Sequence, residues 1–316
     1  MVLLPPRNET TKDTEPPRLW RNGVEINVVR YEEREPEIFR REKHTISRRD
    51  IDPDALKIIF RLQQHDYRAY VVGGGVRDLL IGRKPKDFDI ATDATPKEVK
   101  ALFRNCRIIG RRFKLAHIFF QNRKIIEVST FRDEAAAFET EGEIKQESLA
   151  HDNVYGTEVT DAVRRDITIN ALFYDPERNE IIDYVGGMRD IANRTIRVIG
   201  EPELRFIEDP VRTVRVVRQA CRTGFSIDEQ AERAIRKHHN LITTVPPMRM
   251  YEEFKKDIVA GELLTTLRTL DQLQLLRHIL PELCIPELHR EDSYLTTALR
   301  RVDQLFLMER QASVPA

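Results

Sequence analysis

Cysteine is scarce in this 316-residue chain. Cys106, Cys221 and Cys284 lie too far apart to make a metal-ligand or disulfide spacing, which fits a reducing compartment, the cytoplasm. Net charge is absent as well. Lys plus Arg and Asp plus Glu both total 52, so no global field attracts a polyanion, and a nucleic-acid partner would need a local basic face. No apolar run approaches membrane-spanning length. The start, Met1-Val2-Leu3-Leu4-Pro5-Pro6, lacks the basic region of a signal peptide. Internal repeats and low-complexity tracts are missing too. Glycine is sparse, with 13 residues, yet three of them stand together at Gly73-Gly74-Gly75.

That glycine run follows an apolar strand, Tyr70-Val71-Val72, and precedes Val76-Arg77-Asp78-Leu79-Leu80. Without Cβ atoms the backbone there can approach a bulky anion closely. Shortly after comes Lys86-Asp87-Phe88-Asp89-Ile90. In a strand, the spacing of two puts Asp87 and Asp89 on one face. Adjacent carboxylates repel unless a cation lies between them, so a divalent metal is the natural occupant. Taken alone, the Asp-x-Asp pair reads equally as a solvated strand face, and the glycines as a tight turn. Together, with Arg77 directly behind the turn, they point to phosphate and metal chemistry. Two-metal transfer calls for a third carboxylate on a neighbouring strand. Glu127, set between apolar residues in Lys124-Ile125-Ile126-Glu127-Val128, meets that need.

With 41% hydrophobic and 33% charged residues, the chain can bury a core in two or three domains. Residues 1–45, rich in Pro, Glu and Arg, read as a flexible extension in which Gly23 to Val29 could pair as a strand. Order is expected from Ile46. Ser47 or Asp50 caps a helix with Leu56, Ile59, Phe60 and Leu62 on its apolar face. Thr95-Pro96 starts another helix. Strands are expected at Ala69–Val72, Asp87–Ala91, Arg107–Ile109, Leu115–Phe120 and Lys124–Phe131. Residues 133 to about 160 read as an acidic surface loop, and Ile181–Val185 as a further strand. After Ile199-Gly200 the pattern is helical: Glu208–Arg222, Asp228–His238, Met248–Ala260 and onward. The fold class is therefore α+β, a mixed-sheet domain followed by an all-helical half.

The chain resembles the nucleotidyltransferase superfamily that contains bacterial poly(A) polymerases and class II CCA-adding tRNA nucleotidyltransferases. Five stretches carry the resemblance, from about Ile46 to Pro281. They are Gly73–Asp78, Lys86–Asp89, Arg164-Arg165-Asp166-Ile167-Thr168-Ile169-Asn170-Ala171-Leu172, Asp183-Tyr184-Val185-Gly186-Gly187-Met188 and Glu208-Asp209-Pro210-Val211-Arg212-Thr213-Val214-Arg215. The resemblance implies a nucleotidyltransferase head at 46–190, a helical neck that recognises the base at 191–260, and a short helical body at 261–316. It implies Mg²⁺ on Asp87 and Asp89 with Glu127 assisting, and Asp166 in the active site. Gly74, Gly75 and Arg77 are expected at the triphosphate of ATP, and Arg164 or Arg165 at the nucleotide. Asn170 is expected to brace its loop. Whether Asp166 touches metal or only orients an arginine stays open.

From Glu208 onward, Asp209, Arg212, Arg215 and Arg218 recur at spacing three along one helix face, continued by Arg222. On physical grounds this is a solvated basic face. The resemblance assigns Asp209 and Arg212 to the Watson–Crick edge of the base, with Arg215 and Arg218 nearby. Adenine and cytosine both show an amino donor beside a ring-nitrogen acceptor, so such a pair would take ATP or CTP over UTP and GTP.

Two enzymatic readings share these motifs: addition of AMP to RNA 3′ ends, and CCA or A addition to tRNA. Ile108-Ile109-Gly110-Arg111-Arg112-Phe113-Lys114-Leu115-Ala116-His117-Ile118 and Asp152-Asn153-Val154-Tyr155-Gly156 resemble the polymerase. Arg111-Arg112 is otherwise a solvated turn, and His117 a half-buried strand residue. The segment Pro247–Glu253 is assigned a structural role. The resemblance implies a longer helical body than residues 261–316 supply, so a weakened grip on RNA is expected. A non-catalytic RNA- or nucleotide-binding relative is a third reading, disfavoured because Asp87, Asp89 and Glu127 are all present.

Overall fold

The structure is a computed structural model that describes residues 18–21, 24–27, 34–110, 114–133, 155–283 and 285–312. The expectations placed on Arg111-Arg112, on Asp152–Val154 and on most of the acidic loop lie outside these residues. The chain divides into two units, Met1–Arg30 and Tyr31–Ala316. In the first, β1 (Arg18–Arg21) and β2 (Val24–Asn27) form an antiparallel hairpin in which Arg18 pairs with Asn27 and Arg21 with Val24.

The second unit is built on an eight-stranded sheet. Its strands are β3 (Glu37–Phe39), β4 (Ala69–Val72), β5 (Asp89–Thr92), β6 (Cys106–Ile109), β7 (Leu115–Phe119), β8 (Ile125–Thr130), β9 (Leu172–Asp175) and β10 (Glu180–Asp183). Their order across the sheet is β3-β10-β9-β4-β5-β8-β7-β6. Neighbours run antiparallel except β5 and β8, which are parallel. The central β4 is buried on both faces, and the period of two divides it between two cores. Ala69 and Val71 join Ile58, Leu62, Ile90 and Val99 on one side, whereas Tyr70 and Val72 join Phe131 and Phe173 on the other.

Helices α1 (Pro53–Gln63), α2 (Gly74–Leu80) and α3 (Pro96–Leu102) belong to this sheet domain. Thr95 caps α3 in a reciprocal box with Glu98, with Pro96 in the first turn, as the sequence leads one to expect. At α1 the cap is Asp52; Ser47 and Asp50 instead form a capping box on a short 3₁₀ turn at Arg48–Asp50. The sheet also recruits Glu37–Phe39 from the stretch that composition reads as an extension. That edge strand is held by backbone pairing with β10 and carries no apolar alternation, so its sequence shows no strand signal.

Next come α4 (Glu158–Val163), α5 (Gly187–Ala192) and a two-residue parallel pairing of β11 (Thr195–Ile196) with β12 (Ser226–Ile227). The helical part comprises α6 (Pro202–Glu208), α7 (Val211–Thr223), α8 (Glu229–His238), α9 (Pro247–Ile258), α10 (Leu263–Gln272), α11 (Leu276–Ile279), α12 (Ile285–His289) and α13 (Tyr294–Ala312). Phe206, Val214, Val217, Ile235, Leu267 and Leu270 form its centre. The single helix expected from Glu208 is two helices. Asp209 is extended at φ −146° and ψ 91°, because the residue before a proline is driven out of the helical region. Among the described residues no helix is long and apolar enough to cross a membrane.

Candidate active site

The glycine turn is shaped by backbone constraints. Gly73 adopts φ 71° and ψ −131°, a conformation open only to glycine at low cost. A Cβ on Gly75 would stand 3.4 Å from both the Asp87 carbonyl oxygen and Phe88 Cδ1. Glycine here lets α2 lie directly on the segment that delivers Asp87 and Asp89.

Asp89 opens β5, while Asp87 sits just before the strand, not within it. The parallel register Ile90↔Val128 places Glu127 beside Asp89, one step earlier in the two strands. Asp89 reaches solvent, yet its carboxyl is pushed up to about 6. Burial of its surroundings is the larger cause; the negative fields of Asp87 and Glu127 add to it, and Arg165 pulls the other way. Across the sheet His117 pairs with Glu127, with Nε2 3.4 Å from Oε1.

Asp87, Asp89 and Glu127 thus gather negative potential at one edge of the glycine turn. Among the described residues no group of three or more His, Cys, Asp or Glu side chains could hold a metal ion unaided. That donor set fits Mg²⁺, which is usually held by one or two carboxylates together with substrate phosphates and water.

Arg164 and Arg165 both turn to Asp161, which is completely buried. Burial would raise the Asp161 carboxyl, but the two guanidinium groups outweigh it and hold it below the ordinary aspartate value. Asp161 stands three and four residues before its partners, the spacing of helix neighbours. Arg165 Nη1 also donates to the Asn170 carbonyl at 3.1 Å and lies 3.3 Å from where a Gly73 Cβ would be. Of the two arginines, it is Arg165 that adjoins the turn and whose charge is felt at Asp89.

Asp166, just after α4, accepts from Arg212 Nε and from Arg215 Nη1 of α7, each at 2.9 Å. Those arginines outweigh its burial and lower its carboxyl. Asp166 is therefore seen orienting arginines. Arg215 continues to Glu253 at 2.9 Å, and Arg218 bridges Glu253 and Asp257 of α9. The basic stripe is consequently not a solvated face: Arg212 and Arg218 are buried, and Arg215 and Arg218 dock on carboxylates of α9.

One expected placement differs. Arg77 is buried beneath the turn with its guanidinium directed at protein groups: Asp78 at 2.7 and 2.9 Å, Asn170 Oδ1 at 2.6 Å and Gln219 Oε1 at 2.9 Å. It is an internal brace, and Asn170 is braced with it. The Asp209 and Arg212 side chains have different partners, although the Arg212 N–H donates to the Asp209 carbonyl at 3.0 Å. Arg212 Nη1 donates to Glu208 at 2.7 Å, while Asp209 accepts from Arg249 at 2.5 Å. The break at Pro210 separates them. Asp161, Asp257 and Gln219 were not picked out by sequence, and Arg222 and Glu253 only as members of the stripe and of Pro247–Glu253. Only Asp161, at helical spacing from two arginines, carried a readable signal.

Two family models match the chain, "Poly A polymerase head domain" over residues 69–197 and "Probable RNA and SrmB- binding site of polymerase A" over residues 224–285. Poly(A) polymerase I of Salmonella typhi is 46% identical over 248 residues, covering 77% of this chain and 53% of that protein. The chain belongs to the bacterial poly(A) polymerase and class II tRNA nucleotidyltransferase family. A second branch is also similar: the CCA-adding enzyme of Bacillus pumilus is 37% identical over 203 residues, 64% of this chain and 48% of that one. Among solved structures, the Bacillus stearothermophilus CCA-adding enzyme in complex with CTP superimposes with a TM-score of 0.63 at 32% identity, over 80% of this chain and 58% of that one. The family's α+β head followed by helices is the architecture described above. The chain spans about half the length of the curated relatives it matches.

Proposed function

We propose that this family member is a polynucleotide adenylyltransferase, adding AMP from ATP to RNA 3′ ends without a template and releasing pyrophosphate, in the cytoplasm. One observation carries the reading. Asp89, Asp87 and Glu127 create a concentrated negative field directly beside a glycine turn built for close backbone approach. When bound, Mg²⁺ would neutralise phosphate charge and favour the ionised 3′ hydroxyl of the RNA. Asp87 and Asp89 would hold it, with Glu127 supporting. The N–H groups of Gly74 and Gly75, in the first turn of α2 where no intrahelical acceptor exists, would face the triphosphate, and Arg165, with Arg164 behind it, would add positive charge there. In the neck, Asp209 and Arg212 would meet the base edge, while Arg215 and Arg218 hold the helix on α9. Reading the base then requires Asp209 to exchange Arg249 for the amino group of adenine.

The greater identity and coverage with a poly(A) polymerase favour AMP addition to general RNA. The fold likeness to CTP-bound CCA-adding enzyme supports the second reading, CCA or A addition to tRNA. Incubating the chain with Mg²⁺ and ATP, or with CTP plus ATP, on a generic RNA and on tRNA lacking its CCA end separates them. Long A tails on both RNAs are expected. A single A on tRNA ending in CC would mark the tRNA enzyme, and no incorporation would overturn the transferase reading.

A further inference from the structure

Helix α7 is fastened to the sheet domain at two places. Near its start, Arg212 and Arg215 grip Asp166. Near its end, Gln219 Oε1 accepts from Arg77 Nη1 at 2.9 Å, and Arg222 Nη2 donates to Asp78 Oδ2 at 2.7 Å. Arg83 also donates to the Arg222 carbonyl. Residues 212, 215, 219 and 222 fall on one face of a helix. The outermost are ten residues apart, about 15 Å along the axis. One anchor would let α7 pivot, whereas two separated anchors on one face fix both position and tilt. The second anchor is desolvated: Arg77 is 2% and Asp78 3% exposed. Arg77 and Asp78 belong to α2, the helix that the glycine turn opens.

We infer that Gln219 and Arg222 are positioning residues for nucleotide selection, acting through Arg77 and Asp78 to hold the base-reading end of α7 at a fixed distance from the glycine turn. Neither touches the nucleotide. The inference rests on the nucleotidyl transfer reading proposed above. A base edge is discriminated only when its partners are held in register, so loosening the second anchor degrades the choice of base more than the grip on phosphate. A phosphate-contacting Arg77 would behave oppositely, because its loss would weaken every nucleoside triphosphate alike.

The test uses the full chain as Gln219→Ala, Gln219→Glu and Arg77→Ala, with kcat/KM for ATP and UTP and inhibition by inorganic tripolyphosphate. Gln219→Ala is expected to lower the ATP-over-UTP ratio about tenfold with tripolyphosphate inhibition unchanged. Gln219→Glu, which keeps an acceptor for Arg77, is expected to restore the ratio. An unaltered ratio in Gln219→Ala, or a parallel loss of ATP use and tripolyphosphate inhibition, overturns the inference. Arg77→Ala leaves Asp78 short of a partner and is a check on direction, so Gln219 decides the matter. If the wild type incorporates no nucleotide, the transfer reading falls. The anchor is then judged by ATP-over-UTP thermal protection, which must shrink in Gln219→Ala and recover in Gln219→Glu.

Discussion

Glu253 lies under opposed influences. Burial alone would raise its carboxyl, but hydrogen bonds and charge from Arg215 and Arg218 outweigh that and hold it at about 2. Glu253→Gln leaves two guanidinium groups facing a neutral amide, and a loss of about 3–5 kcal/mol is expected in urea unfolding at neutral pH. The sign with pH follows from the direction. The folded value lies below the ordinary 4.5, so the contribution is complete above about pH 4.5 and fades as pH falls toward 2. The stability gap between wild type and Glu253→Gln should therefore be flat near neutrality and narrow in acid; a constant gap down to about pH 3 would contradict the pairing. Asp89 is the converse case, since burial first, and then the charges of Asp87 and Glu127, disfavour its carboxylate. Asp89→Ala is expected to abolish transfer by at least about a hundredfold, with a melting temperature no lower than that of wild type. A large drop in melting temperature would make Asp89 structural. At this scale the carboxylates were legible, because Asp-x-Asp after a glycine run is a local pattern. Glu253 and Asp257 were not, because what makes them matter is a helix more than thirty residues away in sequence.

Among the elements, the turn between β4 and α2 has the strictest requirement. Gly73 combines φ 71° with a ψ that side chains avoid, and Arg165 Nη1 occupies the space a Cβ would approach, at 3.3 Å. Gly82 has a similar φ of 73° but nothing within 4 Å, so it isolates the backbone cost. Gly82→Ala is expected to cost about 1–2 kcal/mol and Gly73→Ala about 1–3 kcal/mol, with only the latter disturbing transfer, measured by thermal unfolding beside the incorporation assay. Equal activity losses in both would mean that the turn is merely a turn. Local signals made most elements readable: the Thr95-Pro96 helix start, the apolar run of β4, and the helical period of α1. Glu37–Phe39 escaped because pairing to a sheet edge through the backbone needs no side-chain pattern. The α6–α7 break was written in Pro210, but the amphipathic stripe runs across it and reads as one helix.

The whole of Tyr31–Ala316 holds separate cores, one beneath the sheet around Ile58, Val71 and Ile90, the other among the helices around Phe206, Val217 and Leu267. Ile191 packs against both, Ile81 just after α2 packs against the helical one, and Ile167 and Ile169 lie within it; polar linkage adds Asp166 with Arg212 and Arg215, and Arg77–Asp78 with Gln219 and Arg222. This polar linkage was not apparent in a sequence that reads as a sheet domain followed by helices, since its partners come from three separate stretches: Arg77-Asp78, Asp166 and the stripe of α7. It has a measurable consequence. Asp78 receives Arg77 on one oxygen and Arg222 on the other, so Asp78→Asn removes the charge that balances both and should cost about 3–5 kcal/mol. The loss falls on the junction and spares both apolar centres. Wild type is expected to melt in one calorimetric transition and Asp78→Asn in two, the cores unfolding separately once their coupling drops below their individual stabilities. A single lowered transition in the variant would mean that the apolar contacts alone suffice to couple them.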